Sequence, residues 1–471
     1  MRYTMLNITT ALLIVLSVAG CNKERETIIP PGSVPEQYPT RFMVEKTDGV
    51  WKLFKQETDP AKDGAKVQFY VNGAATNNFY AQVKDWGGNV VRTYSTTNNT
   101  KLILDEAWSK GLYVNMGLYM KVSKDFDYSD PANAAAIQKQ FEDHRMYVRR
   151  YRNHPAVFCW SIGNESEDVD AAGNAVYFKY VQEIAAMIHK EDPNHPTTVT
   201  FSNSDPDKKV KVLKKYAPSV DILSVNMYYP GVGNVVNNVE TAGWDKPWMI
   251  TEFGPRGTWN MSTSTDPKIL PWGTSNGGGL EEMTSTEKAE IYRKIFVEDI
   301  KPNESKGCIG SFIFVWGYQT HGAVLSWYGL FDKKGNTFGG VDEISECWTG
   351  NKVEKPAPRI ENRTKMLLNG QTSGEGVTLT LGSAGNTASV EAISPSGETL
   401  TYRWLIYKEG DSMEDGSMPD GIEGLIADAT QPEITFKAPA MTGGYRLYVF
   451  VTDEINRKVA MACIPFLVKE N

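Results

Sequence analysis

Positive charge is in short supply along these 471 residues: 49 Lys and Arg stand against 57 Asp and Glu, a formal net charge of −8. Phosphate binding runs on surplus cations, so no nucleic-acid partner is expected. Histidine and cysteine are scarce too, five of each. No HExxH, no CxxC and no close ligand pair occurs among His144, His154, His189, His195, His321, Cys159, Cys308, Cys347 and Cys463, so neither a transition-metal site nor a thioredoxin-type site is expected. Gly87-Gly88 does not complete a GxGxxG turn, which removes the main requirement of a dinucleotide-binding sheet, and no cofactor is expected. No apolar run reaches the ~20 residues of a spanning helix.

The longest such run, Ala11 to Ala19 behind Arg2, instead suits a secretory signal. It ends in Val18-Ala19-Gly20-Cys21, which resembles a bacterial lipobox, so residues 1–20 read as a removed signal and Cys21 as the lipidated first residue of the mature chain. The charged stretch Asn22 to Glu26 is similar to surface-export signals of Gram-negative lipoproteins, which implies a lipid anchor in the outer membrane facing the cell surface. Residues 21–40, with Pro30, Pro31, Pro35 and Pro39, read as an extended tether. Export permits disulfides, but Cys159 and Cys308 fall in strand-like text, where buried free thiols are at least as good a reading.

What the chain does carry is rings, 12 Trp, 22 Tyr and 18 Phe, set in alternating strand and helix text. Strands are expected at Val67–Val71, Asn89–Tyr94, Tyr113–Met120, Val157–Gly163, Thr197–Phe201, Ile222–Tyr228, Trp248–Phe253 and Ile309–Trp316. Helical periodicity falls between them, one helix opening on the cap signal Thr284-Ser285-Thr286-Glu287. Eight such units predict an α/β chain with a (β/α)8 TIM barrel, over residues 41–352 including an N-terminal hairpin around Asp48-Gly49 that covers the barrel bottom. Beyond Pro356 and Pro358 the text turns to short strands and Gly, Ser, Asn and Asp turns, predicting a small all-β Ig-like sandwich over 356–471 with Trp404 in its core.

Active sites of such barrels form at the C-terminal ends of the strands. Two carboxylates stand there: Glu165, closing Pro155-Ala156-Val157-Phe158-Cys159-Trp160-Ser161-Ile162-Gly163-Asn164-Glu165, and Glu252, in Lys246-Pro247-Trp248-Met249-Ile250-Thr251-Glu252-Phe253-Gly254. Strands four and seven face each other across a closed eight-stranded barrel, so the two can converge over its axis. Glycoside hydrolysis needs such a pair. Asn303-Glu304 repeats the Asn-Glu dipeptide but precedes strand eight, which points it to the opposite face.

These two segments resemble the acid/base and nucleophile segments of the glycoside hydrolase family 2 barrel, a retaining clan with its acids on strands four and seven. The resemblance implies double displacement, with Glu252 the nucleophile and Glu165 the acid and later the base, their carboxyls ~5 to 5.5 Å apart. It further implies that Asn164 binds the sugar 2-hydroxyl, that Arg92 keeps Glu252 ionised, that Tyr228 hydrogen-bonds the nucleophile with Asn226 on the same wall, and that Trp316 is the platform beneath the sugar. Salt bridging for Arg92, rim packing for Tyr228 and core packing for Trp316 are the structural alternatives.

Specificity is less legible. The long connection Pro255 to Met283 carries Trp259 and Trp272, and the loop after strand eight carries His321, Trp327 and Tyr328, all candidate subsite rings or loop packing. Family 2 usually places a jelly-roll and an Ig-like domain before the barrel, which the short stretch after Cys21 has no room for, so galactosidase or glucuronidase specificity does not carry over. The compact barrel with an Ig-like tail is also similar to secreted endo-acting β-glucanases. The expected partners are therefore a β-glucan or related β-linked polysaccharide or oligosaccharide, the membrane through Cys21, and other glycan-utilisation proteins. A transglycosylase on the same substrates and a noncatalytic surface glycan-binding lipoprotein are the alternatives.

Overall fold

The computed structural model describes residues 38–470 apart from 63, 77–78, 168–173, 203–205, 274–277, 319, 322–323, 326 and 410–420. The signal, Cys21 and the tether as far as residue 37 fall outside the described residues.

The chain opens with the hairpin β1 (Thr40–Thr47) and β2 (Val50–Glu57), extended by β3 (Val67–Phe69). Eight parallel strands then close a barrel: β4 (Val71–Thr76), β5 (Val90–Arg92), β6 (Tyr113–Leu118), β7 (Val157–Asn164), β8 (Thr197–Phe201), β9 (Ile222–Asn226), β10 (Trp248–Phe253) and β11 (Cys308–Trp316). Between and after them lie α1 (Gln82–Asp85), α2 (Thr100–Ser109), α3 (Ala134–Tyr151), α4 (Asn174–Glu191), α5 (Pro206–Tyr216), α6 (Val235–Thr241), α7 (Ser285–Lys294) and α8 (Gly339–Thr349). The first barrel strand is a correction to the sequence reading, which put it at Val67–Val71. That segment belongs to the hairpin sheet, while the barrel strand is the small-residue text Val71-Asn72-Gly73-Ala74-Ala75-Thr76, poor in strand formers.

Side-chain alternation along the strands sorts the apolar residues into two cores. Val91, Val114, Met116, Trp160, Ile162, Val199, Val225, Ile250 and Ile313 pack in the core that the helices share. Val71, Ala75, Val90, Tyr113, Phe158, Ile222, Met249 and Phe312 pack in another with Phe42 and Leu53 of the hairpin. Phe42 meets Tyr113 and Phe158 edge-on at 4.9 and 5.0 Å, so the hairpin closes the barrel bottom as expected. Above this plug the interior turns polar, with Asn115, Ser161, Thr198, Thr200 and Ser224 all buried. The expected cap on α7 is present as a capping box: the Glu287 amide donates to Thr284 Oγ1 at 3.1 Å and the Thr284 amide to Glu287 Oε2 at 2.8 Å. Cys159, Cys308, Cys347 and Cys463 are all free.

After the short pairs β12 (Thr320–His321), β13 (Val324–Leu325) and β14 (Thr337–Phe338), the C-terminal strands are β15 (Met366–Leu368), β16 (Thr378–Thr380), β17 (Asn386–Val390), β18 (Thr401–Lys408), β19 (Glu433–Phe436), β20 (Gly443–Asp453) and β21 (Lys458–Lys469). They form one sheet in the order β15-β17-β19 and another in the order β14-β21-β20-β18, with β16 also on β21. A shared core holds Trp404, as expected, with Met366, Ile434, Leu447 and Phe466. The long strand β21 escaped the sequence reading. Its Pro465 sits where β21 is paired by β20 on one side, while β14 takes only Lys458 and Val459, and β16 only Leu467 to Lys469, on the other. A residue with no N–H fits that gap.

This sheet grips the barrel through buried charge. Arg446 of β20 donates to the Leu280 carbonyl at 2.6 Å and pairs with Glu409 at 2.9 Å, and Glu409 accepts from the Gly279 amide at 3.2 Å. Glu282 takes Lys288 at 2.6 Å and Tyr448 Oη at 3.1 Å, while Glu281 takes Arg363 at 3.1 Å and Ser373 Oγ at 2.9 Å. All four backbone or carboxylate anchors, Gly279 to Glu282, lie on the connection that follows β10.

A close approach inside the barrel gives a test of this packing. A Cβ on Gly73 would stand 2.4 Å from the Phe312 ring. Gly73→Ala is expected to destabilise the chain by about 1–3 kcal/mol through overpacking, read as a lower denaturant midpoint, and adding Phe312→Leu should restore part of it.

Candidate active site

Arg92, the last residue of β5, is 1% exposed and points into the polar upper part of the barrel. Its Nη1 donates to Glu252 Oε1 at 2.8 Å and to the Thr251 carbonyl at 3.0 Å, and its Nη2 donates to Asn164 Oδ1 at 2.7 Å. Asn164 Oδ1 also accepts from Asn226 Nδ2 at 3.0 Å. Asn226 Nδ2 reaches Glu165 Oε1 at 2.8 Å, and its Oδ1 accepts from Thr251 Oγ1 at 2.9 Å. Donors therefore orient both amides: with Asn164 Oδ1 occupied twice, the Asn164 Nδ2 group is the end left to meet a ligand. Arg92, Asn164, Glu165, Asn226 and Glu252, read from the ends of four different strands, thus form one connected network.

The two carboxylates differ sharply in surroundings. Glu252 is 6% exposed and takes three donors: Arg92, Tyr228 Oη to Oε2 at 2.6 Å, and Tyr94 Oη to Oε1 at 2.9 Å. Burial and then the Glu252 charge hold both phenols well above their ordinary range, so they act as donors. Glu165 is exposed to the cleft and follows a tight turn in which Gly163 has φ 75° and Glu165 itself φ 49°. Left-handed backbone in a glutamate is strained and is held here by its surroundings, the Glu165 amide donating to the Thr200 carbonyl at 3.0 Å. Although solvent reaches it, enough protein surrounds the carboxyl that desolvation, followed by the Glu252 charge, raises its pKa above the ordinary value of 4.5. The Asn226 hydrogen bond pulls the other way.

Tyr228 also anchors an aromatic wall. Trp259, 53% exposed, meets it edge-on at 5.4 Å, and Phe314 does so at 5.8 Å. Tyr328 lies 5.1 Å from Tyr228 and 5.3 Å from Phe314. Of the expected subsite tryptophans only Trp259 faces the cleft. Trp316 is fully buried, stacked on Trp348 at 6.2 Å, with its Nε1 donating to the Phe79 carbonyl. The cause is a register shift between Phe314 and Trp316 against β4, which turns Trp316 into the helix-side core and leaves half-buried Phe314 at the cleft. Trp272 lies over Gly279 and Gly444 beneath the C-terminal sheet, and Trp327 is 2% exposed, its Nε1 bound to the Arg256 carbonyl at 2.9 Å; both are loop packing. The His321 side chain lies outside the described residues.

Sequence reasoning missed Tyr94 as a partner of Glu252. It lies two residues beyond Arg92, and that spacing places it on the same inward face, a signal that was readable. Phe314 was hidden by the register shift. Among the described residues no cluster of three or more His, Cys, Asp or Glu side chains has metal-site geometry. His154, His189 and His195 pair with Asp105, Asp221 and Asp192 at 3.1, 2.8 and 2.7 Å.

Parts of the chain are similar to known proteins. Residues 97–268, which include Glu165 and Glu252, match the family model described as "Glycosyl hydrolases family 2, TIM barrel domain". A beta-glucuronidase of Homo sapiens is 38% identical over 84 residues, 17% of this chain and 11% of that protein. A beta-glucuronidase of Streptococcus agalactiae is 23% identical over 258 residues, 46% of this chain and 41% of that protein. The chain spans less than half the length of these relatives. Among solved structures, a GH2 beta-galacturonidase from Eisenbergiella tayi bound to galacturonate aligns over 66% of this chain and 54% of its own at 16% identity and a TM-score of 0.47.

Two tests follow from the geometry. Trp316→Ala is expected to cost about 3–5 kcal/mol of stability, as large core truncations do, whereas Trp259→Ala should shift unfolding by less than about 0.5 kcal/mol and raise KM instead. The second concerns pH. An acid with a raised pKa stays protonated to higher pH, so the alkaline limb of kcat/KM should lie above pH 4.5. Asn226→Ala removes a donor that favours the charged form of Glu165 and should move that limb to higher pH, whatever it does to the height of the profile.

Proposed function

We propose, for a chain whose barrel is that of glycosyl hydrolase family 2, that the protein is a glycosidase cleaving β-linked glycosidic bonds by double displacement with net retention. The observation that carries this reading is the Arg92-centred network, which joins a buried, triply hydrogen-bonded Glu252 at the end of β10 to a Glu165 of raised pKa just past β7.

In the first step the Glu252 carboxylate attacks the anomeric carbon as the C–O bond to the leaving group breaks. The bonding pair goes to the leaving oxygen, which takes the Glu165 proton, and a glycosyl ester of Glu252 remains. Ester formation removes the negative charge that helped to raise the Glu165 pKa, so Glu165 becomes the base that deprotonates the incoming water. Water attacks the same carbon from the opposite face and frees Glu252. Arg92 and the phenols of Tyr94 and Tyr228 hold the nucleophile in place through both steps, and the Asn164 amide is the donor offered to a sugar hydroxyl.

The substrate we favour is a β-linked glycan chain, a β-glucan or a related polysaccharide or oligosaccharide. The names of the relatives make β-glucuronides the second class to assay. The test is incubation of the full chain with soluble β-glucans, mannans, galactans and aryl β-glycosides, β-glucuronides among them, with the anomer of the first product followed by proton NMR. Glu252→Gln should abolish turnover. Glu165→Gln should lower it by about 10²–10⁴-fold on poor leaving groups and far less on an activated aryl glycoside, whose departure needs little protonation. Inversion at the anomeric carbon would overturn the mechanism, and unchanged turnover in Glu252→Gln would overturn the site.

A further inference from the structure

Beside the catalytic turn, on the same face of the barrel, lies a hollow of about 340 Å³, the size range of small-ligand sites. One wall is Thr96, two residues beyond the Tyr94 that donates to Glu252, and another is Tyr119, which follows β6 directly. The segment after Tyr119 is tied to the Glu165 turn, since the Ser123 amide donates to the Ser166 carbonyl at 2.7 Å and Ser166 Oγ to the Met120 carbonyl at 3.2 Å. The hollow is thus built on the loops that frame the catalytic residues.

Its lining has an apolar and a polar part. Tyr119 is 60% exposed, and Tyr147 of α3 supplies a second ring. His144 is 4% exposed, and neither ring nitrogen reaches a well-aligned hydrogen-bond partner, although the Tyr119 backbone lies beside the ring. Burial pushes this imidazole down to about 4, so it is neutral and offers one donor and one acceptor. Gln140 uses its Nε2 on the Tyr119 carbonyl at 3.1 Å, while its buried Oε1 has no partner. The charges at the rim are largely engaged: Lys139 pairs with Asp143 at 2.6 Å, and Lys121 sits 4.1 Å above the Phe126 ring. An exposed ring over a neutral lining, with the rim charges already engaged, suits an uncharged ligand with C–H faces.

We propose that this hollow, lined by Tyr119, Tyr147, Thr96, Gln140 and His144, is a subsite that binds a pyranose unit of the glycan chain away from the bond being cut. Tyr119 is its stacking platform, and Gln140, through its hydrogen bond to the Tyr119 carbonyl, and the buried His144 support that platform from behind. The inference rests on the glycosidase reading, deepening it toward substrates several sugar units long.

The test compares the full chain with its Tyr119→Ala variant, a substitution at an exposed ring that leaves the core intact. Hydrolysis is followed on β-linked glucan, mannan and glucuronide-containing oligosaccharides of two to six units and on the matching aryl β-monoglycosides. The parent should gain kcat/KM with chain length. Tyr119→Ala should lose about tenfold, the equivalent of ~1.4 kcal/mol, on the longer substrates while keeping the monoglycoside rate within about twofold. A parent rate that ignores chain length, or equal losses on long and short substrates, would overturn the subsite and leave the glycosidase reading intact. Should none of these substrates be turned over, that reading fails by itself, and calorimetric binding of the same hexasaccharides to the parent and the variant decides the subsite: no binding, or binding indifferent to Tyr119→Ala, overturns it.

Discussion

One guanidinium organises the upper end of this barrel. Arg92 is almost wholly buried, and a buried charge is tolerated only where it is well paired; both its terminal nitrogens are met, while its Nε has no hydrogen-bond partner. Its two terminal nitrogens answer to β10 through Glu252 and Thr251 and to β7 through Asn164, so strands that are not neighbours in the barrel are set against the same rigid plane. From there orientation passes outward. Asn164 can accept from Arg92 only with its oxygen turned inward, Asn226 then donates to Asn164 and to Glu165, and the acid inherits a position that began with the arginine.

The carboxylates at the two ends of this chain of contacts are held by opposite means. Glu252 is buried, met by a cation and two phenols, and has no polar atom left idle. Glu165 is exposed, takes one amide donor, and sits on strained backbone at φ 49°. Such strain persists only where the surroundings enforce it, and it lifts the carboxyl out of the strand direction into the cleft. Desolvation and the neighbouring Glu252 charge raise the pKa of Glu165, while Glu252 receives three donors, so two chemically identical groups stand in different surroundings.

The sequence made the carboxylate pair and most of its neighbours legible because barrel chemistry gathers at strand ends, and strands β5, β7, β9 and β10 are written in unmistakable apolar text. Asn164, Asn226, Tyr228 and Arg92 came from the resemblance to family 2, carried on those same strand ends. Small residues concealed β4, and Pro465 concealed β21, since both break the composition by which strands are read. The tryptophans were less tractable. A ring near a strand end can turn inward or outward with a single slip of register, and the slip before Trp316 is set by pairing with β4, a long-range contact that local text does not encode. Trp272 and Trp327 were drawn away from the cleft by the C-terminal sheet and by the Arg256 carbonyl, partners distant in the chain.

The grip of that sheet on the connection after β10 bears on how such a protein can change over time. An appended module joined by a greasy patch or a loose linker can be lost, swapped or duplicated with little harm to its host. Here the buried Glu282 accepts from Tyr448 and lies 3.6 Å from Arg446 across the boundary, while Arg446 and Glu409, paired with each other, reach across it to the Leu280 carbonyl and from the Gly279 amide. Separating them would expose these ion pairs and break the hydrogen bonds to Leu280, Gly279 and Glu282 at the base of the loop that carries Trp259. The β-sandwich is accordingly fastened to the wall of the cleft, and barrel and sandwich are constrained to evolve as one unit.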